Sequence, residues 1–283
     1  MFQKDLLKQK VVLVTGGGTG LGRSMAKRFA ELGANLVLAS RKVENLEAAA
    51  AEIRALGARA LAVGCDVREP DQVDAMVAKA VAEFGRIDAL VNNAAGNFLA
   101  KTEDLSPNAF NSVVRIVLHG SFHCTSAVGR HMIARGGGGN ILNIVTTYAW
   151  TGSAFVVPSA CAKAGVLAMT RSLAVEWARY RIRVNAIAPG PFPTEGAWQA
   201  LMPDPSYEEM ARLRIPAKRF GRHEELADLA TYLLADGSDY MTGEVVTIDG
   251  GEWLMGGEFN GLTIFPPETI DQSFEAARKK RGK

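Results

Sequence analysis

Tyr148, Ser159 and Lys163 lie within one short stretch, Asn143–Lys163, and offer a phenol, a hydroxyl and an amine. Ser159 and Lys163 are four apart in a segment of helical period, so both project from one helix face into the same cleft. Tyr148 stands eleven residues before Ser159, in a loop that can fold the phenol back towards them. Hydrogen-bonding groups gathered in this way suit polarisation of a carbonyl and proton transfer beside it.

A second group of residues points to a ligand rather than a reaction. Thr15-Gly16-Gly17-Gly18-Thr19-Gly20-Leu21-Gly22 follows an apolar run and opens a segment of helical period. Glycines let a backbone turn tightly and approach a pyrophosphate, which rests on the amides of the helix N-terminus. A carboxylate ending the second strand would accept the ribose 2′-hydroxyl of NAD, whereas a cation suits the 2′-phosphate of NADP. Here the chain reads Ala39-Ser40-Arg41-Lys42, with no acid until Glu44. Arg41 is expected to grip that phosphate with Ser40 donating beside it, so the expected cofactor is NADPH. Asp66 is expected near the adenine. Asn92, Asn93, Ala94, Ala95 and Gly96 are expected on the cofactor side, and Pro189, Gly190, Pro191 and Phe192 over the nicotinamide.

These residues need a scaffold that brings strand ends together. Apolar runs at Lys10–Thr15, Asn35–Ala39, Ala60–Val63, Ala89–Val91, Asn140–Val145, Arg183–Ala188 and Glu244–Ile248 read as strands. Between them lie segments of helical period at Leu21–Leu32, Glu44–Leu56, Pro70–Phe84, Asn108–Ile133, Pro158–Tyr180 and Glu224–Ala235. The alternation and the near-continuous apolar strands predict an α/β fold with a doubly wound, mostly parallel seven-stranded sheet, Rossmann-like, in a single domain over residues 1–283. Its ligand crevice belongs at the strand C-termini. Residues 194–214 read as a substrate lid with an apolar face from Trp198, Leu201, Met202 and Met210. Residues 251–283 read as a C-terminal tail returning over the body.

Composition excludes several classes. The 283 residues are 48% apolar and 22% charged, values of an ordinary globule. Lys and Arg number 32 against 30 Asp and Glu, for a net charge of +2, so neither nucleic acid nor an anionic membrane is expected as a partner. Cys65, Cys124 and Cys161 are far apart and fit reduced thiols in the cytoplasm, where the protein is expected in the absence of a recognisable targeting segment. His119 and His123 share a helix face, but nothing beside them completes a metal site, and none is expected.

The glycine loop, Asn92-Asn93-Ala94-Ala95-Gly96, Lys163 and the run Asn185–Pro191 together resemble the short-chain dehydrogenase/reductases, from about residue 8 to residue 251. That family's usual tyrosine falls on Ser159, its usual serine on Thr146 and its helix asparagine on Val117. The segments at 92–98, 146–165, 189–197 and 256–259 resemble instead the 2,4-dienoyl-CoA reductases of the mitochondrial type. This resemblance implies that Tyr148 and Asn97 hold the thioester carbonyl, with Ser159 and Lys163 serving cofactor and tyrosine. It also implies an acyl-CoA site that includes Arg68, Phe98 and Ser106, and a homo-oligomer, a tetramer by family habit. Ala200 falls where that branch carries an arginine.

The expected chemistry is reduction of a 2,4-dienoyl-CoA to a 3-enoyl-CoA in unsaturated fatty acid breakdown. Tyr148 and the Asn97 amide would steady the dienolate oxygen. Lys163 would hold the nicotinamide ribose, and its charge would favour ionisation of a nearby phenol. Reduction of a 2-enoyl-CoA or of a carbonyl by Tyr148 acting as acid is the enzymatic alternative. A non-catalytic NADPH sensor or assembly protein is the alternative of another class.

Overall fold

Seven parallel strands in the order β3-β2-β1-β4-β5-β6-β7 organise the protein. The computed structural model describes residues 2–195, 198 and 204–282. The strands are β1 Val11–Thr15, β2 Asn35–Ser40, β3 Ala60–Gly64, β4 Ala89–Asn92, β5 Gly139–Ile144, β6 Ile182–Pro189 and β7 Val245–Ile248. The expected strands all form, and every pair is parallel rather than mostly so. From β1 the chain moves outward to β2 and β3, then returns to β4 on the other side of β1. That reversal opens a crevice beyond Thr15 and Asn92, where such sheets bind ligands.

Both faces of the sheet are covered, which explains why its strands are apolar without alternation. In β1, Val12 and Val14 pack with Met25 and Phe29 of α1 (Gly20–Glu31), Leu46 and Ile53 of α2 (Val43–Ala55), and Leu226 and Leu233 of a late helix. Val11 and Leu13 face the other way. They pack with Met76 of α3 (Pro70–Phe84) and with Cys124, Val128 and Met132.

The long helix expected at 108–133 is broken. It runs as α4 (Pro107–Val114), a π-helical turn at Arg115–His119, and α5 (Gly120–Arg135). The wide turn leaves helical spacing imperfect, a feature periodicity alone does not register. Ser121 Oγ donates to the Val117 carbonyl at 2.6 Å. Tyr148 is not in an open loop but starts a single turn of helix, α6 (Tyr148–Thr151), which leads into α7 (Val157–Trp177).

The later helices are α8 (Pro205–Arg214), α9 (His223–Leu234) and α10 (Pro267–Arg281). Ala200, Leu201 and Met202 lie outside the described residues. Within the expected lid, Trp198 packs edge-on against Phe220, with ring centroids 4.8 Å apart, while Met210 is exposed. In the tail, the first turn meets α6 through Trp253 and Trp150, and α10 presents no buried residue.

A polar thread crosses the core beneath the site. Asn92 Nδ2 donates to Thr125 Oγ1 and to Asn143 Oδ1, and Asn143 Nδ2 donates to Thr170 Oγ1, each at 2.8 Å. Asn143 is fully buried, so this side chain satisfies partners that water cannot reach. Replacing Asn143 by Leu removes two buried bonds, leaving Asn92 Nδ2 with Thr125 Oγ1 alone and Thr170 Oγ1 with the Val166 carbonyl alone. Urea denaturation should show a loss of about 2–4 kcal/mol.

Candidate active site

The strand ends at the sheet reversal carry the cofactor cradle. Gly16 has φ +65°, a left-handed backbone that glycine adopts without strain. A Cβ on Gly22 would lie 2.3 Å from the Gly16 carbonyl oxygen and 2.5 Å from Asn93 Nδ2, so only glycine fits where helix and loop meet. Thr15 Oγ1 accepts from the backbone N–H groups of Asn93 and Ala94 at 3.0 Å. The Asn93 side chain donates back to the Thr15 carbonyl, also at 3.0 Å. These bonds tie the loops after β1 and β4 into one wall.

Beyond that wall lies a groove of about 410 Å³ lined by Gly16, Gly18–Leu21, Ser40, Arg41, Asp66, Asn93 and Ala94. Glycine amides at a helix start, with a cation at the mouth, match the phosphate-rich half of a nicotinamide dinucleotide. Arg41 is exposed at the end of β2. Ser40 Oγ donates to the Lys42 carbonyl at 3.3 Å, so a phosphate would have to redirect it.

Asp66 is already engaged. Arg68 Nε donates to both its carboxylate oxygens, at 2.9 and 3.0 Å, and Arg68 Nη2 adds a further bond. These bonds hold the Asp66 carboxyl below its ordinary range. Two residues that the sequence assigns to different ligands, adenine and acyl-CoA, are thus one ion pair. Phe192 also departs from its expected role. Its ring belongs to the core beside Ile187 and Leu226, while Gly190 packs so closely on Asp249 that a Cβ would lie 2.6 Å from that residue's Cβ.

At the nicotinamide end, four side chains gather. Tyr148 Oη lies 3.0 Å from Ser159 Oγ and accepts from Asn97 Nδ2 at 3.4 Å. Asn97 Oδ1 accepts the Phe98 backbone N–H at 3.0 Å, which turns the amide nitrogen to the phenol. Ser159 is buried on the first turn of α7. One turn further, Lys163 is also buried, and its ammonium donates to the Ile144 carbonyl at the end of β5.

The electrostatics revise one expectation. Burial raises the Tyr148 phenol above its ordinary value, against hydrogen bonds from Ser159 and Thr146 that act to lower it. Tyr148 therefore holds its proton at neutral pH. Burial alone lowers Lys163 to about 8.

Val117, at the family's asparagine position, packs with Val113, Ala162 and Val166 and offers no polar group. Ser106 is exposed and caps α4, accepting the Ala109 N–H at 3.1 Å, while Phe98 packs partly buried beside that helix. His123 Nδ1 meets the Val67 carbonyl at 3.0 Å, which accounts for one of the paired histidines structurally. Among the described residues no cluster of His, Cys, Asp and Glu could hold a metal. No helix among them is long and apolar enough to cross a membrane. Trp150 and Trp253 meet beside Tyr148, a contact that sequence reasoning missed because the two are far apart in the chain.

Lys163 makes a stability prediction. Its folded pKa of about 8 lies below the ordinary 10.5, so between these values the unfolded chain holds the proton more tightly. The cost of burying the cation is therefore full below pH 8 and disappears as pH rises towards 10.5. Lys163→Met should raise the stability of the cofactor-free protein at pH 7 by about 3 kcal/mol. Urea denaturation should show that advantage shrinking at pH 9 and above.

Comparison with known proteins agrees with this geometry. A family model described as enoyl-(acyl carrier protein) reductase matches residues 16–252. A probable 2,4-dienoyl-CoA reductase [(2E)-enoyl-CoA-producing] of Bacillus subtilis is 46% identical over 251 residues, covering 88% of this chain and 98% of the relative. Probable 2,4-dienoyl-CoA reductase 3 [(3E)-enoyl-CoA-producing] of Caenorhabditis elegans is 44% identical, covering 89% and 83%. Among solved structures, a gluconate 5-dehydrogenase from Burkholderia cenocepacia in complex with NADP and tartrate superposes with a TM-score of 0.83 at 35% identity, covering 88% of this chain and 97% of that one. With its glycine cradle, its buried helix lysine and these relatives, the chain belongs to the short-chain dehydrogenase/reductase family of oxidoreductases, on the side of the 2,4-dienoyl-CoA reductases.

Proposed function

We propose that the protein is an NADPH-dependent 2,4-dienoyl-CoA reductase of the mitochondrial type that forms 3-enoyl-CoA. The observation carrying this reading is the neutral Tyr148 phenol, 3.4 Å from the Asn97 amide and 3.0 Å from Ser159, outside the family's usual tyrosine position. The names of the relatives support the substrate class. The likeness to the mitochondrial branch rests on Tyr148, on the 146–165 segment and on the apolar residue at 117.

The glycine loop, Ser40 and Arg41 would hold NADPH, which when bound would supply a hydride to C5 of the dienoyl thioester. Charge then spreads through C4=C3 and C2=C1 onto the thioester oxygen, where hydrogen-bond donors are most effective. Tyr148 donates its phenolic proton towards that oxygen, and Asn97 turns its Nδ2 from the phenol to the same point. Ser159 orients the phenol, and the Phe98 N–H fixes the amide. Lys163, which donates to the Ile144 carbonyl, would position the cofactor through its nicotinamide ribose. Hydride and one proton complete a two-electron reduction.

The site of protonation sets the product. A proton at C2 of the dienolate leaves a 3-enoyl thioester, and a proton at C4 leaves a 2-enoyl thioester. Both donors lie at the thioester end, adjacent to C2, which favours the 3-enoyl product. Arg68, Phe98 and Ser106 would line the acyl-CoA site, where a CoA phosphate competes with Asp66 for the Arg68 guanidinium. The active form on this reading is a cytoplasmic homo-oligomer, a tetramer by family habit.

Mixing protein, NADPH and 2,4-hexadienoyl-CoA should consume cofactor. In D₂O the product should carry deuterium at C2. Turnover of a 3-ketoacyl-CoA alone would replace this reading with carbonyl reduction, and tight NADPH binding without turnover would favour a sensor. Tyr148→Phe should lower kcat about 10²–10³-fold with little change in NADPH affinity. Arg41→Ala should weaken NADPH binding by about tenfold or more while leaving NADH binding unchanged, measured by fluorescence titration.

A further inference from the structure

The helix that carries the phenol is too short to hold itself. α6 is a single turn, closed by backbone bonds from Ala149 to Thr146 and from Gly152 to Tyr148, and ended by Gly152 at φ +71°. One isolated turn fixes several dihedrals for very few hydrogen bonds and is unstable in water. Contacts from elsewhere must keep it in place. Tyr148 contributes its own bonds to Ser159 and Asn97, but these are the groups a substrate oxygen would disturb.

Besides its packing on α7, α6 has a further contact from the far end of the chain. Trp150 projects from α6, and Trp253 from the turn that follows β7. Their rings meet edge to face at 88°, with centroids 5.8 Å apart. Trp253 is itself well anchored. Its backbone N–H donates to Asp249 Oδ2 at 2.8 Å, and Gly251 N–H donates to Asp249 Oδ1 at 2.8 Å. Asp249 follows Ile248, the last residue of β7, and packs on Gly190 at the end of β6. An unbroken path therefore runs from the rigid sheet through Asp249, Trp253 and Trp150 to the helix bearing Tyr148.

We propose that Trp253 is a positioning residue, which through Trp150 holds the Tyr148 hydroxyl at the point where the substrate oxygen gains charge. This rests on the reading of Tyr148 as the oxyanion donor. Edge-to-face pairs are strong enough to matter and too weak to determine folding, which suits adjustment of one catalytic group. With the pair intact, the phenol keeps its position while its partners exchange from Ser159 and Asn97 to substrate. Without it, α6 frays and the phenol samples water.

Kinetics and titration of the full-length protein test this. Trp253→Ala should lower kcat for 2,4-hexadienoyl-CoA roughly three- to tenfold, with NADPH affinity unchanged, and Trp253→Phe should recover most of the loss. In a Tyr148→Phe background, Trp253→Ala should cost nothing further in kcat, because its effect passes through the phenol. An equal loss in both backgrounds would overturn the proposal and leave Trp253 as a general packing residue. Carbon-13 NMR of ring-labelled tyrosine, assigned with Tyr148→Phe, supplies a readout independent of turnover. In Trp253→Ala the raised Tyr148 titration should move down towards its ordinary value, and an unmoved titration would overturn the proposal. Absence of dienoyl-CoA turnover in the unmodified protein would defeat the functional reading instead, while the titration would still decide whether Trp253 positions the phenol.

Discussion

A lysine ammonium inside the protein, held by a backbone carbonyl and paired with no carboxylate among the described residues, is the constraint on which the site depends. Burial lowers Lys163 to about 8, so the fold carries a destabilising group at the foot of the catalytic cleft. Such a group persists where the surrounding packing over-determines it, and here the packing is extensive. Val113 and Val117 pack against Ala162 and Val166 of α7, and the polar thread through Asn92, Asn143 and Thr170 lies beneath. A cation poised in this way meets a ligand hydroxyl without first shedding water, which is how preorganised sites gain strength.

The same dry environment acts in the opposite sense on Tyr148. A phenol resists ionisation when desolvated, so Tyr148 remains a donor at neutral pH. The hydroxyl on the helix is Ser159 and the phenol reaches it from α6, while the lysine bonds to β5. That arrangement fits stabilisation of an enolate-like oxygen better than delivery of a proton to an alkoxide.

On the proposed reading, the pairing of Asp66 with Arg68 connects the cofactor and substrate halves of the cleft. Each faces a separate ligand in a reading residue by residue, yet in space they share four hydrogen bonds. A ligand that draws on one must alter the other. Cofactor and substrate sites so joined are expected to influence each other's affinity, and by equal factors.

Local pattern was enough to determine the sheet, the glycine cradle and the helix bearing Ser159 and Lys163. Strand length, apolar continuity and helical spacing are short-range properties, and Gly16 and Gly22 record in their own type the close approaches they make. Resemblance singled out Tyr148 and Asn97, 51 residues apart, but only the fold places them 3.4 Å from one another. Periodicity also missed the π-turn at Arg115–His119, since one extra residue in a helical turn barely alters the pattern. The direction of the Tyr148 shift, the Asp66–Arg68 pair and the meeting of Trp150 with Trp253 were decided by tertiary structure alone. Each depends on how deeply a group is buried and on which distant segment reaches it, and neither quantity is carried by the residue or its neighbours in the chain.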